Sequence, residues 1–174
     1  NVDATEYHAT FADAVAYASE FGYDEYKEIT VVGNSVDVSS ELPSNITLIV
    51  PTGKTINVTS GFIVQGTLEL NGTMSIARGQ NATIYGTLEG SGTIVAAAGT
   101  SGSNGGTLSA SGTSSNSVEI SVGSYANATL PANYTLGGEL SVAANATAKV
   151  NGGTLDVTGS VTIAENGKLD CGVN

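Results

Sequence analysis

The sequence predicts an all-β protein, a parallel β-solenoid of triangular coils of about 20 residues behind a short N-terminal capping helix. Three observations carry this. Glycines number 23 in 174 residues, against a usual share of ~7%. Charged residues make up only 12% of the chain, which removes much of the Glu, Lys and Arg that exposed helix faces use. Finally, glycine-led markers recur at one fixed interval, the signature of a repeat architecture.

Along the chain, residues 1–9 (NVDATEYHA) have no place in the repeat and read as an extended N-terminal segment, a candidate donor strand. Residues 10–27 read as a capping helix and linker. Within them, TFADAVAYASEF (10–21) places Phe11, Val15 and Ala18 at helical spacing. Thr10 is positioned to cap the amide of Asp13, and Gly22 follows as a stop. Residues 28–174 read as the solenoid domain. ITVVGNSVDV (29–38) and ITLIV (46–50) are rich in β-branched residues with a period near two, which is the pattern of strands.

Gly66-Thr67-Leu68, Gly86-Thr87-Leu88 and Gly106-Thr107-Leu108 are evenly spaced, as are Gly72-Thr73, Gly92-Thr93 and Gly112-Thr113. Both series share one period of about 20 residues. Each unit holds three short strand candidates, such as GTLEL (66–70), GTMSI (72–76) and NATIY (81–85). A five-residue strand spans ~17 Å, so three with their turns close a coil in about 20 residues. Roughly seven coils fit the domain. This frame stacks Leu68, Leu88 and Leu108 inside and Thr67, Thr87 and Thr107 outside. It runs the neighbouring inner column through Leu70, Gly90 and Ala110, puts Ser114 where Met74 and Ile94 stand, and makes residues 97–117 the weakest part of the core. It also sets a register slip between 117 and 150.

The rhythm G-T-L-x-[VL]-x-G-[ST]-[VIM], clearest at Gly66–Ile76, Gly86–Ala96 and Gly153–Ile163, resembles that of microbial secreted β-solenoid (right-handed parallel β-helix) surface and filament proteins. The similarity covers about residues 29–174. It implies an architecture shared by adhesins, filament and sheath subunits, phage fibres and polysaccharide-cleaving enzymes. It also implies that the helix at 10–21 shields the first coil.

Charge excludes further functions. The net charge is −11, and Lys27, Lys54, Arg78, Lys149 and Lys168 are the only cations, so no basic patch exists to neutralise nucleic-acid phosphates. Nine of the 16 acids fall between Asp3 and Glu41. No run approaches the ~18 apolar residues of a transmembrane segment. The chain begins at Asn1 without Met, which suits a mature secreted product.

Asn45, Asn57, Asn71, Asn81, Asn127, Asn133 and Asn145 each have Thr two residues on. The 14 Asn and the 40 Ser and Thr of the chain would produce roughly three such motifs by chance. Two readings stand: N-linked glycans on a secreted or cell-surface protein, or Asn in a turn before Thr opens a strand. Cys171 is the sole cysteine, and is a buried hydrophobe, an unpaired thiol or a link to another subunit.

No catalytic, cofactor or metal site is expected. His8, the sole histidine, lies outside the repeats, so the solenoid offers no nucleophile–histidine pair. Glu69 and Glu89 occupy equivalent positions one coil apart, with Arg78 the nearest cation in sequence, and read best as a solvated face. Gly152–Asp156 resembles the calcium-binding nonapeptide repeat only in its glycines and lacks the G-x-D spacing.

The expected function is a non-enzymatic structural subunit of an extracellular self-assembling filament, sheath or surface layer. Its partners are further copies of itself joined head to tail by strand addition, and N-linked glycans. The alternative is a monomeric cell-surface adhesin or stalk module that contacts a cell surface or glycans. A carbohydrate-active β-helix enzyme ranks lower because Lys and Arg are scarce and Glu69 and Glu89 read as a solvated face, and an ice-binding protein because charge at 69 and 89 interrupts the Thr ranks.

Overall fold

The computed structural model describes residues 6–20, 27–101, 104–112 and 114–172, with only the backbone for 114–116. A ten-residue helix, α1 (Phe11–Glu20), precedes about seven coils of parallel strands. The Asp13 amide donates to Thr10 Oγ1 at 3.1 Å, and that hydroxyl donates to Asp13 Oδ2 at 2.7 Å, closing the predicted cap. At the other end Lys27 Nζ donates to the Ala18 carbonyl at 2.5 Å, a cation where the helix dipole favours one.

The coils have three faces. The first is built from Lys27–Thr30, Ile46–Val50, Thr67–Leu70, Thr87–Gly90 and Ser114–Asn116, with Tyr134–Leu136 and Leu155–Val157 pairing beyond them. The second uses the first halves of Ser35–Leu42 and Thr55–Val64, then Thr73–Ile76, Thr93–Ala96, Glu119–Val122, Leu140–Val142 and Val161–Ile163. The third uses the second halves of the same two long strands, then Asn81–Ile84, Thr107–Ala110, Asn127–Leu130, Thr147–Val150 and Lys168–Asp170. The two long strands run through a corner without stopping. Ser40 makes that turn at φ 75°, where the register shifts between Val38 and Ser40.

Alternate side chains point inward and stack on their equivalents one coil away. On the second face the inner column runs Ile56, Met74, Ile94, Ile120, Leu140 and Val161. Its members from Ile56 to Leu140 are at most 2% exposed, and no polar side chain is buried among the described residues. Dehydration of these aliphatic columns, at ~25 cal/mol per Å², drives the folding.

The repeat frame needs one correction. Strand partners are separated by a period of about 20 residues everywhere except around 97–106, where Leu88 pairs with Ser114, Thr93 with Glu119 and Asn81 with Thr107. That coil is longer than the one before it by six. The extra six lie in the turn between Thr93–Ala96 and Thr107–Ala110, and six is also the spacing from Gly66 to Gly72. The insertion therefore moves one glycine marker onto the place of the other, and the sequence looks in step when the coil is not. Leu108 is buried, as expected, but it stacks between Ala82 and Ala128 on the third face. Thr107 follows Asn81, Ala110 follows Ile84, and the backbone partner of Gly90 in the next coil is Asn116 rather than Ala110.

Gly112 takes the corner expected of Gly106. A Cβ on Gly112 would collide with the Gly86 carbonyl oxygen, just as one on Gly86 would meet that of Gly66. The predicted slip between 117 and 150 is absent: Ile120 pairs with Leu140 and Asn127 with Thr147, each at the ordinary period. Residues 107–110 form a buried, paired strand, so the core weakness predicted across 97–117 does not extend to them.

Deleting residues 98–103 is expected to leave a four-residue turn like that at 77–80 and a folded, shortened coil. Circular dichroism with retained β signal and a cooperative urea transition would check this; a collapsed transition would count against an insertion at that place.

Candidate functional site

The two ends of the stack differ. At the N-terminal end α1 lies against the strands at Lys27–Thr30 and Ser35–Leu42 and covers the first coil. Phe11 is buried with its ring edge-on to Phe62, centroids 5.6 Å apart at 82°, and Ala18 joins the same core. Between α1, the segment before it and the first coil runs a groove of about 1090 Å³, lined in part by Tyr7, His8, Tyr17, Lys27 and Val36. His8 Nε2 is buried there without a hydrogen-bond partner among the described residues, its ring 4.9 Å from Tyr17. Desolvation, and next the Glu6 carboxylate, push the Tyr17 hydroxyl above its usual pKa.

At the C-terminal end of the described residues nothing comparable covers the last coil. Val161 and Ile163, which continue inner columns buried from Ile56 to Leu140 and from Val38 to Val142, are 43% and 44% exposed. Leu155, Val157 and Leu169 are only partly buried. The strands Leu155–Val157, Val161–Ile163 and Lys168–Asp170 each pair on one side only, with the coil before. Three parallel edges and five aliphatic side chains thus form one apolar, hydrogen-bonding end surface. Such an edge accepts a further strand. Lys168 Nζ donates to Asp170 Oδ2 at 3.0 Å at its margin, and Cys171 follows as an exposed free thiol, which excludes the buried-hydrophobe reading.

The seven acceptor asparagines all lie outside the core. Asn81 and Asn127 open strands of the third face and share a column through Thr107. Asn133 and Asn145 sit in turns at φ 53° and 59°, left-handed geometry that Asn tolerates better than most residues. Asn45 immediately precedes the strand Ile46–Val50. Asn57 stands on the second face and Asn71 at the corner between first and second faces; both are hydrogen-bonded, as described below.

Glu69 and Glu89 are direct neighbours in adjacent strands, as the period required. Arg78 lies elsewhere, in the corner between second and third faces, where its guanidinium donates to Thr100 Oγ1 at 3.0 Å. The outer Thr ranks are real over three coils, Thr47, Thr67 and Thr87, but Glu69 and Glu89 stand beside the last two, and Glu119 follows Thr93. Among the described residues no group of three His, Cys, Asp or Glu side chains is close enough to share a metal, and no helix is long and apolar enough to cross a membrane. Compared with protein-family models, curated proteins and solved structures, the chain matches none.

Two measurements check this description. Leu68→Ala should cost about 2–5 kcal/mol in urea denaturation and Ile163→Ala less than ~1.5 kcal/mol, because only the former leaves a closed cavity. The Asp170 carboxyl, held down by hydrogen bonds from Lys168 and the Gly172 amide and by the Lys168 charge, should titrate below the usual Asp range by NMR. Its folded pKa is depressed, so its small contribution is present above the unfolded value and lost as pH falls through the folded one. Lys168→Ala should move the titration back up.

Proposed function

We propose that the chain is a structural subunit of an extracellular self-assembling filament, sheath or surface layer, N-glycosylated and joined head to tail by strand addition. The observation that carries the reading is the asymmetry of the stack among the described residues: α1 covers one end, and at the other three strands pair on one side only, around partly exposed aliphatic side chains. A surface of one kind meeting one of another kind gives a contact that does not close on itself, and so a filament.

Magnitudes favour strand addition over simple end contact. Burying the remaining exposed parts of Leu155, Val157, Val161, Ile163 and Leu169 is worth on the order of 4 kcal/mol. Loss of translational and rotational freedom costs ~4–15 kcal/mol. The difference must come from directional bonds, each ~0.5–1.5 kcal/mol net, along an added strand. Residues 1–9 suit that role. Val2 and Ala4 alternate with Asp3 and Thr5, the pattern of the strands they would extend, and nine residues reach up to ~30 Å when extended. Residues 1–5 lie outside the described residues. Residues 6–9, which follow, are not part of any strand of their own coil, and Tyr7 is 78% exposed.

The full chain should form polymers visible by negative-stain microscopy and grow with concentration in light scattering. Deleting residues 1–9, or replacing Val161 and Ile163 together by Asp, should abolish them while circular dichroism shows the solenoid intact. A chain that stays monomeric at every concentration, or fibres unchanged by both variants, would overturn the proposal.

A further inference from the structure

The seven Asn-X-Thr motifs are alike in sequence but not in space. Asn57 Nδ2 donates one hydrogen to Ser35 Oγ at 2.7 Å and the other to Asp37 Oδ1 at 3.0 Å, both on the strand one coil before. Asn71 Nδ2 donates to Glu69 Oε1 at 2.9 Å, and its Oδ1 accepts from the Ser91 amide at 3.3 Å, one coil on. Asn57 is tied to the coil before through its Nδ2, while Asn71 reaches the next coil through its Oδ1 and its Nδ2 is held by Glu69 of its own coil. Among the described residues Asn45, Asn81, Asn127 and Asn145 make no side-chain hydrogen bond, and Asn133 uses only its Oδ1, which accepts from the Thr154 amide at 3.2 Å.

The same division appears in position. Asn81 and Asn127 stand on the third face, two strand spacings (~9.6 Å) apart in one column. Asn145 lies in the turn that leads into that face. Asn45 and Asn133 lie in the turns that leave it. Every acceptor with a free amide nitrogen therefore borders the third face, and the two with committed nitrogens lie elsewhere.

N-glycosylation replaces a hydrogen on Nδ2. The nitrogen forms a bond to the anomeric carbon of a lipid-linked oligosaccharide pyrophosphate. The carbon–oxygen bond to the pyrophosphate breaks, the lipid pyrophosphate leaves, and the displaced proton passes to a base of the transferase. At Asn57 this substitution removes a bond between coils, whether the sugar is added before or after folding. At the five free positions it removes none.

We infer that Asn45, Asn81, Asn127, Asn133 and Asn145 are the carbohydrate acceptors, that Asn57 and Asn71 are inter-coil ladder residues, and that the sugars coat the third face and its two corners. The inference rests on the glycoprotein part of the proposed function. It leaves the first face and most of the second bare, the surfaces by which neighbouring filaments could pack sideways.

The test is glycopeptide mass spectrometry on the full chain secreted by a cell with N-glycosylation, with urea-gradient and thermal unfolding of the sugar-free chain made in a bacterial cytosol. Occupancy is expected at the five free sites and not at Asn57 or Asn71. In the sugar-free chain Asn57→Ala should lower Tm by ~2–4 °C, and Asn81→Ala and Asn127→Ala by less than ~1 °C. Sugar on Asn57 or Asn71 at the level of the others, or an Asn57→Ala variant as stable as its parent, would overturn the partition alone. Sugar on none of the seven would overturn the glycoprotein reading and this inference with it.

Discussion

Every described strand finds its backbone partners one coil away, and that single constraint arranges the rest. A parallel ladder in register forces equivalent residues to stack, so inward positions call for aliphatic residues in coil after coil, a demand that Gly90, after Leu70, does not meet. Ile56, Met74, Ile94, Ile120 and Leu140 meet that demand with no buried polar group among them. The corners obey it too. Where one glycine's α-carbon lies against the carbonyl of the glycine below, as Gly112 does on Gly86, any larger residue would hold the two coils apart and break the bonds on both flanking faces. The glycines thus serve close backbone approach more than flexibility.

The constraint also explains why the ends are the chemically distinct parts of the stack. An interior coil has neighbours above and below and exposes only outward side chains. The first coil has α1 and the Phe11–Phe62 contact in place of a neighbour. The last described coil has no such cover, and the columns that end at Val161 and Ile163 emerge into solvent. Outward positions are free of the packing demand, which is why they carry Thr, Ser, Asn and Glu in changing order. The proposed assembly and the proposed sugar coat use these two kinds of surface separately, the end for one and a lateral face for the other.

How much of this was legible in the sequence follows from what repeats. The period, the three strands per coil, the inward aliphatic columns and the Thr10-capped helix are local patterns, and the structure reproduces them. The long coil was invisible because its six extra residues match the Gly66-to-Gly72 spacing, so Gly106-Thr107-Leu108 imitates a first-face strand while lying on the third. Pairing settles such a case because Leu108 cannot stack on both Leu88 and Ala82. The acceptor motifs hid a difference of the same kind: Asn57 and Asn81 share a tripeptide pattern, but only Asn57 has Ser35 and Asp37 one strand away to take its amide hydrogens.

The sequence by itself determined that this chain coils, because alternating aliphatic residues and evenly spaced glycines encode a strand and a corner within a few residues of each other. It also determined what the surface lacks, since five cations cannot make a basic patch wherever they fall. Only the tertiary structure decided which strands share a face, which asparagines are bound and which are free among the described residues, and that α1 covers the first coil while the last described coil has no such cover. Those properties depend on contacts between residues a whole coil apart, and a stacking register is set by everything the chain does between them.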